Sequence, residues 1–248
     1  MMFRTEELKS YSIALSIEDR GTIYDMYFDD LFWNIQYMLI ICEGRSDADI
    51  VLVSHLAMGI PDKKSQSIPV FFNLDKNNAH AVSGIAHPES GTNHRISSHI
   101  YDLSRKQLNL ASLSAREVKN RISDILLDEY DMPRPTIRHL RSRNNVSGYN
   151  IQVKNGELIG HVEDFIIEAN TWELRYLLVD THNWITGGTK ILIPPFWIEK
   201  IWWSDNLVSL DLKKEAIIQS PAFNPMEPLN DKLESKLYQY YARQYYSS

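Results

Sequence analysis

The sequence predicts a mainly β protein: two small antiparallel β-barrels, a helical connector between them, and a C-terminal helix. Three observations carry that expectation. A hairpin pattern at Gly160–Asp180, GHVEDFIIEANTWELRYLLVD, occurs once more without a gap as GTIYDMYFDDLFWNIQYMLII at Gly21–Ile41. Short runs with period-two alternation are punctuated by turn residues. Helical spacing is confined to one stretch between the repeats and one at the end.

Within the repeat, Gly21 aligns with Gly160, Asp25 with Asp164, Trp33 with Trp172 and Tyr37 with Tyr176. Apolar residues also coincide, Ile23, Ile35 and Leu39 with Val162, Leu174 and Leu178. A hairpin used twice implies a duplicated domain, placed at residues 1–90 and 139–224, with the connector at 91–138 and the tail at 225–248.

In chain order, Tyr11–Ile17 alternates as a first strand, and the hairpin at 21–41 follows. Its loop, Asp30-Leu31-Phe32, is less polar than the matching Ala169-Asn170-Thr171. Ile50–Val53 and Ile68–Leu74 read as further strands, with Pro69 near a strand start where a missing N–H is tolerated. Ser114 with Glu117 forms a capping box, and Val118, Ile122, Ile125 and Leu126 recur at helical spacing, predicting a helix over about 115–129 that ends before Pro133 and Pro135. A shorter helix is expected at Arg105–Leu110. The second copy offers strands at Tyr149–Val153, the hairpin, Lys190–Ile193, Ile198–Trp203 and Asn206–Leu212, with turns at Asn155-Gly156, Gly187-Gly188 and Asp205-Asn206. Asn230 caps a final helix over Asp231–Tyr245, with Leu233, Leu237 and Tyr240/Tyr241 on one face.

Composition narrows the function classes. At 44% hydrophobic and 23% charged the chain has neither the signature of disorder nor a fibrous bias. A net charge of −6 argues against binding nucleic acid with the whole surface. The single cysteine, Cys42, excludes an intrachain disulfide and a cysteine-based zinc cage. The longest apolar run, YMLIIC, is far below the roughly 20 residues of a membrane span. The expectation is a cytoplasmic protein that does not cross a bilayer.

The motif set Gly160-His-Val-Glu-Asp164, Trp172-x-x-Arg175-Tyr176, Val179-Asp180 and Ile191-Leu-Ile-Pro194 resembles the PRC-barrel domain. That domain is named for the cytoplasmic part of the photosynthetic reaction-centre H subunit, and it also ends the ribosome maturation factors. Residues 139–223 carry the resemblance in nearly every motif, and residues 11–86 carry it more loosely. The first copy has Gln36 where the family favours Arg and Ser54-His55 where the second has Pro194-Pro195. The resemblance implies two PRC-type barrels and a non-enzymatic interaction or assembly role. It also suggests two alternatives, an RNA- or ribosome-associated factor and a membrane-peripheral scaffold of the H-subunit kind.

Each candidate residue has a chemical reading. In a hairpin symmetric about its turn, Asp164 stands opposite Tyr176 and Asp25 opposite Tyr37. With no nucleophile beside both aspartates, they read as structural residues and not as general acids. Trp184, Trp202 and Trp203 are hard to bury together, because adjacent strand residues face opposite ways; they read as a candidate partner surface for another protein or a second copy. Arg138, Arg141 and Arg143, with Arg134, form a basic strip within a segment holding nine Lys/Arg against five Asp/Glu over 105–143. Such a strip suits phosphates. His80, His87, His94 and His99 lack metal-ligand spacing. No Gly-rich phosphate loop, HExxH, GxSxG or CxxC motif is present, so no cofactor and no catalytic residue are expected.

Overall fold

The computed structural model describes residues 1–15, 20–43, 50–71, 100–102, 110, 112–128, 133–184, 186–225 and 229–247. The helix expected at 105–110 and the four clustered histidines lie outside these residues, apart from Leu110. The chain opens with β1 (Met2–Arg4), a single helical turn α1 (Thr5–Leu8), β2 (Ser12–Ala14) and the hairpin β3 (Arg20–Asp29) and β4 (Asn34–Cys42). β5 (Ile50–Ser54) runs into a 3-10 turn at His55–Ala57, and β6 (Ser67–Ile68) and β7 (Ile100–Asp102) follow. Next come α2 (Ala115–Asp128), α3 (Arg134–His139), β8 (Leu140–Ser142), α4 (Arg143–Val146) and β9 (Asn150–Gln152). The second hairpin is β10 (Leu158–Glu168) and β11 (Glu173–Asp180). β12 (Lys190–Ile193), a 3-10 turn at Pro195–Trp197, β13 (Ile198–Trp202), β14 (Leu207–Leu210), α5 (Lys214–Ile218) and α6 (Asp231–Ser247) complete the chain.

These elements form two compact units. Glu7–Asn144 make the N-unit; Asn145–Ser248 together with Met1–Glu6 make the C-unit. The grouping differs from the boundaries drawn on the sequence: residues 91–138 fall inside the N-unit, and the first six residues fall inside the C-unit. In the N-unit, β3 pairs antiparallel with β2, β4 and β8, β4 pairs with β5, and β5 with β7. In the C-unit, β10 pairs with β1, β9 and β11, and β11 with β12. The expectation of closed, wholly antiparallel barrels is corrected here. Among the described residues neither sheet closes, and each is mixed, because β6 lies parallel to β2 and β14 parallel to β9.

Each hairpin holds a short strand from the start of the other repeat. β1 lies on β10 with Phe3 opposite Ile167, and β8 lies on β3 with Arg141 opposite Phe28. The chain passes between units at Glu6/Glu7 and at Asn144/Asn145, so the two lead-in strands are exchanged. Met2 and Phe3 are buried in the C-unit, and Leu140 and Ser142 in the N-unit. Burying the Met2 and Phe3 side chains contributes about 1.5–3 kcal/mol each.

The correspondence between the two units reaches further than the hairpin. The 3-10 turns correspond: Met58 N donates to His55 O in one, and the N–H of Ile198 to Pro195 O in the other. Gln66 and Asn206 both adopt left-handed backbone, φ 47° and 53°, and each carbonyl accepts a bond from the first strand of its repeat, from Ser12 N and Asn150 N at 2.9 Å. Each sheet is also covered by an amphipathic helix. On α2, Val118, Ile122 and Leu126 pack with Tyr27, Leu39, Ile50 and Leu52. On α6, Leu237 and Tyr241 are buried, and the Tyr241 hydroxyl donates to Leu192 O at 2.8 Å. Both helices are capped as their sequences predict, α2 by the reciprocal Ser114–Glu117 box and α6 by Asn230, whose Oδ1 accepts from Leu233 N at 3.1 Å. The connector thus holds the N-unit's counterpart of the tail helix.

Candidate functional site

The repeated residues converge on one arrangement per hairpin, built around the aspartate. Gly160 and Gly21 open it. A Cβ on Gly160 would stand 2.3 Å from Asp180 O, and one on Gly21 would stand 2.7 Å from Ile41 O, so the paired strands approach too closely for any side chain. Beyond the glycine the strand bulges, between Val162 and Asp164 in one copy and between Ile23 and Asp25 in the other. A second irregularity follows at Ile166/Ile167 and at Tyr27/Phe28. These shifts undo the symmetric register: Asp164 stands opposite Leu178 and Asp25 opposite Leu39, while Tyr176 faces Ile166 and Tyr37 faces Tyr27. The expected aspartate–tyrosine pair does not form.

Instead, each bulge turns its carboxylate inward onto the exchanged lead-in. Asp164 Oδ1 accepts from Phe165 N at 2.7 Å and from the Thr5 hydroxyl, and both its oxygens lie 3.3 Å from Glu6 N. Asp25 Oδ1 accepts from Met26 N at 2.8 Å and Asn144 N at 3.0 Å, and its Oδ2 accepts from Ser142 Oγ at 2.6 Å. Glu6 and Asn144 occupy the same place in their repeats, so the two sites share a backbone donor. The hydroxyl comes from neighbouring positions, after the strand in one copy and at its end in the other. No spacing argument on the sequence finds these partners, because each lies in the other repeat.

The electrostatics of the two sites differ. Arg4 Nε stands 3.9 Å from Asp164 Oδ2. Asp25 is fully buried, and that desolvation pushes its pKa up to about 6 against the pull of Ser142, Asn144, Met26 and the more distant Lys9 charge. Burial, with the neighbouring Asp25 carboxylate, also raises the Tyr27 hydroxyl well above its usual value.

The hairpin turns repeat as closely. Trp33 N donates to Asp29 O at 2.9 Å and Trp172 N to Glu168 O at 2.8 Å, with both tryptophans left-handed at φ 54° and 57°. Asp29 Oδ1 accepts from Leu31 N and Phe32 N, as Glu168 Oε2 does from Asn170 N and Thr171 N. A left-handed non-glycine residue costs about 1–2 kcal/mol. Indole packing offsets it: Trp172 is buried, and Trp33 stacks on Phe28 with centroids 5.5 Å apart.

Residues 139–200 match the PRC-barrel domain. No curated protein matches the chain. The PRC-barrel segment begins at His139 and so includes β8, which pairs within the N-unit.

The other signature residues of the PRC-barrel segment have structural partners. Arg175 binds Glu173 at 3.3 Å and Glu234 at 3.2 Å, fastening α6 to β11. The buried Tyr176 hydroxyl is raised to about 12 by desolvation. Asp180 Oδ1 accepts from the backbone N–H of His182 and contacts its Nδ1, both at 2.8 Å, shaping the loop that carries Trp184.

Of the candidate partner surface, Trp184 and Trp202 are exposed, and Lys200 Nζ sits 3.4 Å from the centre of the Trp202 ring. Trp203 turns the other way and packs on Tyr149 at 6.3 Å. The arginine strip does not form as a surface. Arg143 is buried, and Arg141 is held by Asp30 at 2.7 Å and by the carbonyls of Arg138 and Leu140. Arg134 and Arg138 are exposed. Among the described residues no three His, Cys, Asp or Glu side chains gather to hold a metal, and no helix is long and apolar enough to cross a membrane.

Proposed function

We propose that the chain is a non-enzymatic interaction or assembly module built on two PRC-type barrels, the first diverged from the second. One observation carries the reading. In both copies the repeated carboxylate of the hairpin interior accepts hydrogen bonds from its own strand's next N–H and from backbone and hydroxyl donors of the exchanged lead-in, which makes it a clasp. A general base needs a lone pair facing substrate. The element-by-element correspondence of the two units supports the tandem arrangement, and the exposed Trp184 and Trp202 have the chemistry of interface anchors for another protein or a second copy.

The test is light scattering over a concentration series, with crosslinking in native lysate read by mass spectrometry. Trp184→Ala with Trp202→Ala is expected to remove the crosslinks near those residues, or to lower the mass of a self-assembled species. A monomer whose crosslinks the double variant leaves unchanged overturns this surface.

A further inference from the structure

The two hairpin turns serve as controls for each other. Their backbone requirements are met identically, by the carboxylate of Asp29 or Glu168 and by the left-handed Trp33 or Trp172. The two tip side chains add to the turn only in the C-unit, where Asn170 Nδ2 donates to Glu168 Oε1 at 3.1 Å and Thr171 Oγ1 accepts from Glu173 N at 3.4 Å. The C-unit places Asn170 and Thr171 there, as solvent demands. The N-unit places Leu31, 59% exposed, and Phe32, 74% exposed. The same contrast extends away from the tip: exposed Ile60 and Phe71 stand where the C-unit has Lys200 and Asp211. Leu56 also projects at the tip's end of the sheet, because β5 ends opposite the start of β4, with Tyr37 paired to Ser54; here the C-unit is alike, with Phe196 exposed at the matching position.

The charges around the tip are mixed: the Asp29 carboxylate accepts from Leu31 N and Phe32 N within the turn, and basic groups surround Asp30. Asp30 is paired with Arg141 at 2.7 Å and contacts His139 Nδ1 at 2.8 Å, and its backbone N–H donates to His139 O, which fixes the end of α3 against the turn. The exposed Arg134 and Arg138 stand on that helix. Lys119 is close enough for its charge to act on Asp30 and Arg141. Exposed apolar side chains on a turn whose neighbouring helix carries exposed arginines match an interface of acyl chains below and phosphates above. A protein partner would have to offer an apolar hollow with an acidic rim instead.

We propose that the β3–β4 turn is a membrane-docking finger: Leu31 and Phe32 enter the acyl region of an anionic lipid surface while Arg134 and Arg138 meet its phosphates. This goes beyond the assembly role and uses a different surface. The full chain is sedimented with vesicles of phosphatidylcholine alone and of phosphatidylcholine with phosphatidylglycerol. Binding is expected only to the anionic vesicles, weakening as salt rises. Leu31→Asn with Phe32→Thr installs the C-unit's own turn residues, keeps the melting temperature, and is expected to lower vesicle affinity about tenfold or more. Arg138→Ala is expected to weaken binding to anionic vesicles alone. Absence of binding at low salt overturns the proposal, as does binding indifferent to the double variant. So does a dimer that the double variant dissociates, because the finger then belongs between copies of the chain. None of these outcomes bears on Trp184 or Trp202, so this proposal and the assembly role fail separately.

Discussion

Asp25→Asn separates the charge of the clasp from its hydrogen bonds. The folded chain holds the Asp25 proton with a pKa of about 6, against 3.8 for an ordinary aspartate, because burial disfavours the carboxylate more than its three donors favour it. A shift of about two units corresponds to about 3 kcal/mol. The folded state binds the proton more tightly, so this contribution to stability is fully present below about pH 4. It is lost as pH rises through about 6. Asparagine cannot ionise; its Oδ1 still accepts from Met26 and Asn144, and its amide can donate to Ser142 Oγ. The variant should match the parent near pH 4 and exceed it by up to about 3 kcal/mol at pH 7. The assay is urea unfolding followed by tryptophan fluorescence between about pH 4 and 7.5. Asp25→Ala is the control: it cannot ionise either, so it shares the pH profile of Asp25→Asn, but stranding three donors places it about 2–4 kcal/mol below the asparagine variant at every pH. Parallel pH profiles for the parent and Asp25→Asn would refute the argument, as would a loss in Asp25→Asn equal to that in the alanine variant.

The remaining expectations test other parts of the fold. Asp164→Ala strands the Glu6 and Phe165 N–H groups and should cost about 2–4 kcal/mol, with hydrogen exchange rising first at the amides of β1. Gln66→Gly relieves a left-handed residue at an exposed turn and should gain about 0.5–1 kcal/mol in thermal unfolding, while Asn206→Gly gains less because asparagine tolerates that conformation. Leu126→Ala should cost about 2–4 kcal/mol in urea unfolding, since α2 packs into the N-unit core; a mere linker helix would lose almost nothing.

The hairpins were legible in the sequence because their backbone makes demands that only certain side chains meet. A strand approach that would put a Cβ 2.3 Å from a carbonyl oxygen admits only glycine, and a buried bulge with inward N–H groups suits a short carboxylate. The helices were legible from their caps and apolar spacing. The pairing partners were not. A three-residue strand such as Met2–Arg4 or Leu140–Ser142 carries no periodicity that names its neighbour, so the lead-ins were assigned to their own repeats. The bulges hid the register, moving each aspartate from tyrosine to leucine. The correspondence of α2 and α6 was hidden for a related reason: both satisfy the same packing need with unlike residues, Ser114 against Asn230 at the cap and Val118, Ile122 and Leu126 against Leu237 and Tyr241 on the buried face.

The exchange of lead-ins also explains why the two aspartates differ electrostatically while their backbones agree. The residue that brings a cation to Asp164 is Arg4, and it arrives on the strand donated by the first repeat. The equivalent position on the strand donated by the second repeat is Ser142, which brings a hydroxyl to Asp25 and no charge. A substitution in one lead-in therefore acts on the aspartate of the other copy, and each repeat can drift only as far as the opposite clasp tolerates. The turn tips carry no such coupling, because Asp29 and Glu168 each serve the turn of their own hairpin. That difference in constraint accords with the clasps being alike in the two units while Leu31 and Phe32 differ from Asn170 and Thr171.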